Sequence, residues 1–476
     1  MMTSEDQTVA GSSVSRRVAL GSATALALGA AMSRGRAAGA QTPAAAATPQ
    51  GTPAATVDPV TASVPHVFSH AEMQFQFFIA LGAVYERAAD VGELFATAAQ
   101  ITDGDFDSWF DAFVAVGARI QGIAETSEAA GDAVSAREAW LRAATYYGQA
   151  YFFTYGTQEP DRIADVWAQA ADAFAKFAAL LDTPAEVIEI PYEGTTLPGF
   201  ALRVDDSGEP RPWLIMNNGS DGLMADMWAQ GAAAGLRRGY NVLLFDGPGQ
   251  GAALWRQNLY FRADWEKVVT PVVDYLVARP DVDPAKIVII GVSQAGFWVP
   301  RALAFEHRLA AAVANPGVVD VGSSWLAHMP PDTMQGLLDA PEAERAKIAA
   351  EIDEGVAQGM AQSIDFRFTV MMRMKPYGVE KMSDMLIELA KYTLTDDVIK
   401  QITTPLLIAD PEGEQFWPGQ SQQLYDALPG QKELLRFTAA EGADLHCQPK
   451  ANGLANQRFF DGMAHYLETP EGTPAP

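Results

Sequence analysis

The sequence is short of cysteine, histidine and positive charge. Its only cysteine is Cys447, so an intramolecular disulfide cannot form and a cysteine-rich zinc site cannot be built. The six histidines are spread over the chain and no His-Glu-x-x-His motif occurs, so we expect no metal centre. With 33 Lys and Arg against 59 Asp and Glu, the formal net charge is −26. Because nucleic acid and anionic membrane surfaces repel such a chain, we expect neither as a partner.

The N-terminal segment is typical of an export signal. Ser15-Arg16-Arg17 precedes an apolar stretch over 18–32, and Ala38-Gly39-Ala40 fits an A-x-A cleavage site. The paired arginines favour the twin-arginine route. We therefore expect 1–40 to be a cleaved signal peptide and the mature protein to be periplasmic or extracellular.

A membrane anchor is the alternative interpretation of this segment. Its apolar stretch is shorter than the ~20 residues that span a bilayer, and no later segment is long and apolar enough either. We expect no stable membrane insertion after the signal is cleaved.

Composition and periodicity divide the remaining chain into segments. The Ala-, Pro- and Thr-rich stretch 41–62 is typical of a flexible linker, and 468–476 is typical of an unstructured tail. Apolar residues spaced by three and four predict a helical domain over 63–185. Asp105 and Ser135 are the expected N-caps of two of its helices.

Strands and helices alternate over 186–317 and again over 401–467. A predicted antiparallel hairpin opens the first segment, and the later strands are continuous apolar runs, as in a parallel sheet buried on both faces. Such alternation predicts a doubly wound α/β domain. Over 318–400 the alternation gives way to a helical, Met-rich stretch, which we interpret as an inserted cap.

One strand of this alternating region leads into a candidate nucleophile. Apolar Ile287–Ile290 continues as Gly291-Val292-Ser293-Gln294-Ala295 and then as a helical pattern. This is close to the G-x-S-x-G elbow, in which a strained turn between strand and helix exposes the serine. Ala295 replaces the second glycine but is small enough for the crowded turn. The alternative, a serine that only caps a helix, is disfavoured by the position after a buried strand.

A serine nucleophile needs a base and an acid that orients it. His446 lies in a loop-like stretch after the last strand, where the order Ser, acid, His places the base. Three carboxylates follow the strand Leu406–Ala409, and the register before a hydrophobic-Pro pair favours Glu414. Asp410 is the alternative acid, and Glu412 comes third.

Two backbone N–H groups are candidates for the oxyanion hole. One is that of Gln294, directly after the nucleophile, and the other is that of Ser220 in the Gly-rich stretch 217–222. The alternative for this stretch is a turn without function. A further segment, Gly247–Ala252, fits G-x-G-x-x-A, but Pro248 removes an N–H and the segment follows an interior strand, so we expect no nucleotide cofactor.

The sequence contains five motifs that are to be taken together: 135–143, Gly219-Ser220-Asp221-Gly222, 245–251, the Ser293 elbow and 441–447. In this order they resemble those of the α/β-hydrolases with an N-terminal helical domain. This group includes 2,6-dihydroxypseudooxynicotine hydrolase and the fungal polyketide-shortening hydrolases. The resemblance implies an α/β-hydrolase fold, doubly wound and mostly parallel, with an N-terminal helical domain and an inserted helical cap that close over the active site. It also makes four aromatic residues candidates for the pocket lining, with the domain core as the equal alternative: Tyr146, Tyr147, Phe152 and Phe153.

These observations predict a serine hydrolase that acts through an acyl-enzyme on a carbonyl of a small organic substrate, either an ester or an activated carbon–carbon bond. No cofactor is required, and a homodimer is compatible with the sequence. An acyltransferase or an aminopeptidase-like hydrolase with the same triad is the first alternative. A non-catalytic binding protein on a hydrolase scaffold is the second.

Overall fold

A computed structural model describes residues 67–326 and 330–468. The predicted signal peptide (1–40), the linker (41–62) and all of the predicted tail except Glu468 lie outside these residues, so export remains a prediction. The chain divides into two compact units. One is Gly322–Lys391, which falls inside the predicted cap of 318–400, and the other comprises the described residues before and after it. None of the described helices is both long and apolar enough to span a bilayer.

Helices occupy the N-terminal part of the larger unit, as the apolar spacing predicted. Asp105 caps one of them, since its carboxylate accepts hydrogen bonds from the N–H groups of Asp107 and Ser108. The prediction for Ser135 is wrong, because its helix already begins at Ala133 and the serine lies inside the first turn. The helices are Ala71–Ala83, Val91–Ala98, Phe106–Ala130, Ala133–Phe153 and Ile163–Ala179.

Eight strands form one sheet in the order β1-β2-β4-β3-β5-β6-β7-β8. The β1–β2 hairpin turns at Glu193 and Gly194, whose φ angles of 40° and 83° are those of a tight hairpin turn. From β4 to β8 all neighbouring strands are parallel, as the apolar runs predicted. The strands are β1 Glu186–Tyr192, β2 Thr195–Leu202, β3 Arg211–Asn217, β4 Asn241–Phe245, β5 Val282–Val292, β6 Ala311–Asn315, β7 Leu406–Pro411 and β8 Lys432–Phe437.

Helices connect the parallel strands, and five more α-helices lie among the described residues of the smaller unit. Those of the sheet domain are Met224–Met227, a π-helical turn Trp228–Ala232, Ala233–Arg237, Gly251–Trp255, Glu266–Val277, Ala295–Leu303, Asp396–Ile399, Gln420–Ala427 and Asn452–Glu468. Those of the smaller unit are Ser323–Leu326, Pro331–Asp339, Glu342–Gln362, Ile364–Met374 and Met382–Leu389. Crossover helices of this kind place the strand ends of a parallel sheet at one edge, where a site can form.

An ion pair between a buried carboxylate and a half-exposed arginine joins the helical domain to the sheet domain. Glu86, just after the first helix, has a side chain that is only 2% exposed, and it is paired with the guanidinium of Arg237. Trp228 donates its indole N–H to the carbonyl oxygen of Glu86 at 3.3 Å. Asn452 donates its side-chain amide to the carbonyl oxygen of Gly82 at 3.2 Å. The two domains are therefore joined by buried polar contacts as well as by apolar packing.

Replacing Arg237 with methionine should destabilise the protein, because the buried carboxylate of Glu86 then loses its cation. Because Arg237 is itself 52% exposed, we expect the free energy of unfolding to fall by about 2 kcal/mol, measured by urea denaturation. Arg87→Met is the control, since Arg87 is 79% exposed where it pairs with Glu138, and we expect a loss below about 1 kcal/mol. Equal losses in the two variants would contradict a special role for the pair with the buried carboxylate.

Candidate active site

The chain makes a sharp turn where β5 ends. Ser293 follows the last strand residue and has a φ of 57°, in the left-handed region that side chains rarely adopt. Its N–H donates to the carbonyl oxygen of Asn315 at 2.6 Å, and its own carbonyl accepts from the N–H of Gly296 at 2.8 Å. The helix Ala295–Leu303 begins two residues later. This strand–turn–helix geometry is that of a nucleophile elbow, whose strain exposes the serine hydroxyl.

The backbone of this elbow is crowded at two other positions and not at 295 itself, which is why alanine is accepted there. A methyl group on Gly291 would lie 2.5 Å from the carbonyl oxygen of Ala295, and one on Gly296 would overlap the carbonyl oxygen of Pro316. The crowded positions of this elbow are therefore 291 and 296. Ala295 is fully buried, and its position has room for the methyl group.

His446 connects the serine to a carboxylate. Its Nε2 lies 2.9 Å from Ser293 Oγ, and its Nδ1 lies 2.9 Å from each carboxylate oxygen of Glu414. The side chains of His446 and Glu414 are only 6% and 4% exposed. Three residues that are far apart in the chain thus form a hydrogen-bonded series with the distances that proton transfer requires.

The loop after β7 fixes the carboxylate in place. One oxygen of Glu414 accepts from the N–H of Phe416 at 3.0 Å and of Trp417 at 3.3 Å. Gln415 accepts the N–H of His446 at 2.9 Å. The rings of Phe416 and Trp417 lie 4.7 and 5.7 Å from the imidazole ring. The loop therefore orients both the acid and the base and shields them from water.

The two other candidate acids have different partners. Asp410, at the end of β7, forms an ion pair with Arg436 of the neighbouring strand β8. Glu412 accepts a hydrogen bond from the N–H of Ala439 at 2.9 Å. The structure thus contradicts the alternative of Asp410 as the acid, since its carboxylate pairs with arginine instead of histidine.

The Gly-rich stretch 217–222 passes directly beside the nucleophile. A methyl group on Gly219 would lie 2.7 Å from Cβ and 3.3 Å from Oγ of Ser293. The N–H of Gly219 donates to the side-chain oxygen of Asn218 at 2.8 Å. The N–H of Ser220, which follows it in the chain, is the donor that the sequence predicts from this loop. Gln294 precedes the helix Ala295–Leu303 and supplies the second candidate N–H.

Comparison with known proteins agrees with this geometry. A family model for FrsA-like esterases matches residues 102–327. Hydrolase LUC6 of a Fusarium species is 31% identical over 409 residues, which cover 83% of this chain and 96% of that protein. Hydrolyase poxO of Penicillium oxalicum is 30% identical over 423 residues, covering 84% and 99%. The chain belongs to the α/β-hydrolase family of these enzymes. It is a hydrolase.

A solved structure of 2,6-dihydroxy-pseudo-oxynicotine hydrolase confirms the fold of this α/β-hydrolase. It superposes with a TM-score of 0.63 and 21% sequence identity, covering 83% of this chain and 98% of that one. The expected resemblance to this group, and the expected fold, are thus confirmed.

The aromatic candidates of this α/β-hydrolase lie mostly in the core of its helical domain. Tyr146, Tyr147 and Phe153 are 0%, 2% and 0% exposed. The hydroxyl of Tyr146 donates to Glu93 at 2.6 Å, and Phe153 stacks on another ring of the helical domain with centroids 4.8 Å apart. The prediction that these three line a substrate pocket is wrong, because helix packing leaves them no open surface. Phe152 is half-buried and remains a candidate.

The G-x-G-x-x-A segment is filled by the hydrolase's own side chains. Asp246 accepts the N–H of Ala252 at 2.7 Å, and a methyl group on Gly251 would overlap its carboxylate. The N–H of Gly247 donates to Gln250. A nucleotide phosphate would meet a carboxylate here, which disfavours nucleotide binding. In the described part of the chain, no group of three or more His, Cys, Asp and Glu is placed to hold a metal ion.

Burial and pairing shift the pKa values of the two titratable site residues in opposite directions. Burial alone would raise the pKa of Glu414, but the charge of His446 and the hydrogen bonds to the carboxylate outweigh it and lower that pKa. Burial alone would lower the pKa of His446, yet the adjacent Cys447 and Glu414 outweigh it and raise that pKa well above 6.5. Both residues are thus favoured in their charged forms.

The pH at which the rate of hydrolysis rises should therefore be higher than for an enzyme whose catalytic histidine has an ordinary pKa. Only neutral His446 accepts a proton, and its raised pKa places the acid limb of kcat/KM above pH 6.5. A pH–rate profile with an uncharged ester measures this limb. In Glu414→Gln the limb of the residual activity should move to lower pH, because the carboxylate charge is lost. A limb that stays in place in this variant would contradict the assignment.

Proposed function

We propose that this enzyme is a serine hydrolase that attacks a carbonyl group of a small organic substrate and passes through an acyl-enzyme. One observation carries the proposal: the His446 imidazole lies within hydrogen-bonding distance of both the Ser293 hydroxyl and the Glu414 carboxylate. A nucleophile, its base and an orienting acid in this arrangement are the parts that acyl transfer needs.

The proposed reaction has two halves. His446 takes the proton of Ser293 as Oγ attacks the carbonyl carbon, and Glu414 stabilises the imidazolium. The N–H groups of Gln294 and Ser220 stabilise the oxyanion. Collapse of the tetrahedral intermediate breaks the bond to the leaving group, which receives the proton from His446. Water, deprotonated by His446, then attacks the acyl-enzyme, which releases the acid and restores Ser293.

Two substrate classes fit this sequence of steps. With an ester, the leaving group is an alcohol. With a β-diketone or an acylphenol, the leaving group is a stabilised carbanion that accepts the same proton, so that a carbon–carbon bond breaks. A purely binding function would not need the buried, hydrogen-bonded arrangement of Glu414 and His446, whose desolvation is costly unless both are paired.

A substrate panel tests the proposal. Purified enzyme is assayed with p-nitrophenyl esters, aryl diketones and aminoacyl anilides, and separately with a fluorophosphonate probe. We expect turnover of esters or diketones and labelling of the protein. Folded protein that is neither labelled nor active would favour the binding protein, and acyl products formed only with added alcohols or amines would favour an acyltransferase.

A further inference from the structure

The side chain of Gln250 spans two loops beside the proposed active site. It is only 3% exposed. Its Nε2 donates to the carbonyl oxygens of Asn218 and Gly219, both at 2.7 Å, and its Oε1 accepts the N–H of Gly247 at 2.9 Å. We propose that Gln250 is a positioning residue that sets the direction of the oxyanion donor at Ser220, an inference that rests on the proposed function.

Only one orientation of the amide satisfies these contacts. The two carbonyl oxygens need a donor, which the NH₂ group supplies, and the Gly247 N–H needs an acceptor, which the amide oxygen supplies. No other neutral side chain of this size presents two donor hydrogens and an acceptor at its end. The glutamine side chain therefore links the turn at 247 to the loop at 218–219, with its oxygen facing the turn and its NH₂ group facing the loop.

Peptide planarity carries this constraint to the donor. In a trans peptide the C=O and the N–H point in opposite directions. By holding the Gly219 carbonyl, Gln250 directs the N–H of Ser220 away from itself. The Asn218 carbonyl is held twice, by Gln250 and by the side chain of Asn217 at 3.0 Å, so the preceding peptide cannot rotate to compensate.

The held peptides lie against the nucleophile. Gly219 approaches Ser293 so closely that a methyl group on it would lie 2.7 Å from the serine Cβ. Asn217 is fixed as well, since its side-chain oxygen accepts the indole N–H of Trp265 at 2.7 Å. A small rotation of the Gly219–Ser220 peptide would thus move the donor away from the position where negative charge develops, which weakens transition-state stabilisation more than substrate binding.

Gln250→Met tests this inference because it keeps the size of the side chain and removes all three hydrogen bonds. The measurements are kcat and KM for p-nitrophenyl acetate and the inhibition constant of an aryl trifluoromethyl ketone, which forms a tetrahedral adduct with serine. We expect kcat to fall by about 10²-fold, KM to change by less than about threefold, and the ketone to bind about 10²-fold more weakly.

Gln420→Met is the matched control. Gln420 is also buried, and its side chain makes three hydrogen bonds to backbone groups, which are the N–H groups of Val319 and Asp320 and the carbonyl oxygen of Asp320. We expect a similar decrease in melting temperature in both variants. The affinity for the ketone should fall only in Gln250→Met. If both variants bound the ketone equally weakly, the role of Gln250 would be structural only, and the inference would be overturned.

Gln250→Glu is a second test that keeps the shape of the side chain. The ionised carboxylate can still accept from Gly247 but repels the two carbonyl oxygens, whereas the protonated acid donates to one of them. In either form the side chain cannot hold both carbonyl oxygens, so the ketone should bind at least about tenfold more weakly than to the wild type. Wild-type affinity for the ketone in this variant would overturn the inference.

The outcome also separates this inference from the proposed function. If the wild-type enzyme is not labelled by a fluorophosphonate, the proposed function fails and the inference fails with it. If it is labelled and Gln250→Met binds the ketone as tightly as the wild type, only the role of Gln250 is wrong.

Discussion

Replacing Ser293 with alanine should lower kcat/KM for p-nitrophenyl acetate by about a million-fold, to the residual rate that binding and the oxyanion donors alone provide. The reason is the loss of the hydroxyl that lies 2.9 Å from Nε2 of His446. The same substitution should abolish fluorophosphonate labelling, which needs the activated hydroxyl. Steady-state kinetics and in-gel labelling measure the two effects.

Ser421→Ala provides a control for this experiment. Ser421 is buried, and its hydroxyl donates to the carbonyl oxygen of Ala409 at 2.8 Å, so its loss disturbs packing without touching His446. We expect this variant to retain both labelling and turnover. Labelling that persists in Ser293→Ala would show that another residue is the nucleophile, and the mechanism would have to be abandoned.

Replacing Glu414 with glutamine should lower kcat by about 10⁴-fold while leaving substrate binding nearly unchanged. The amide NH₂ would donate to Nδ1 of His446, which leaves the proton on Nε2 facing Ser293. In that tautomer the imidazole cannot act as a base. The variant also loses the negative charge that stabilises the imidazolium formed during the reaction.

Asp410→Asn is the matched variant, because the two carboxylates follow the same strand. Its partner is Arg436, not the histidine, so we expect a moderate loss of stability and a kcat close to that of the wild type. A larger loss of kcat in Asp410→Asn than in Glu414→Gln would reverse the assignment of the acid. Thermal melting of both variants separates effects on folding from effects on the reaction.

Local patterns predicted the parts of this molecule that depend on neighbours in sequence. The strand before Ser293 is a continuous apolar run, and the small residues around the serine require a tight turn, so the elbow could be located without coordinates. The order of strands along the chain placed His446 after the last strand. The position of Glu414 in the loop after β7, shortly before a hydrophobic-Pro pair, favoured it over Asp410 at the end of the strand.

Contacts between distant segments could not be predicted in this way. The segment 247–252 resembles a phosphate-binding turn, and nothing local reveals that Asp246 fills it or that Gln250 reaches Asn218. Tyr146 and Tyr147 are adjacent on one helix, and sequence alone does not show that packing against neighbouring helices buries both sides of that helix. Ser135 has the right chemistry for a cap, but the helix begins two residues before it, at Ala133, and nothing in the local sequence shows this.

The ion pair of Glu86 with Arg237 has a consequence for how the enzyme can be divided. A fragment that began at β1 would keep the complete hydrogen-bonded series around Ser293, yet it would expose the indole of Trp228 and leave Arg237 without its carboxylate. We expect such a truncated catalytic domain to aggregate. We therefore expect the helical domain to be an integral part of the folding unit, which minimal versions of the enzyme must retain.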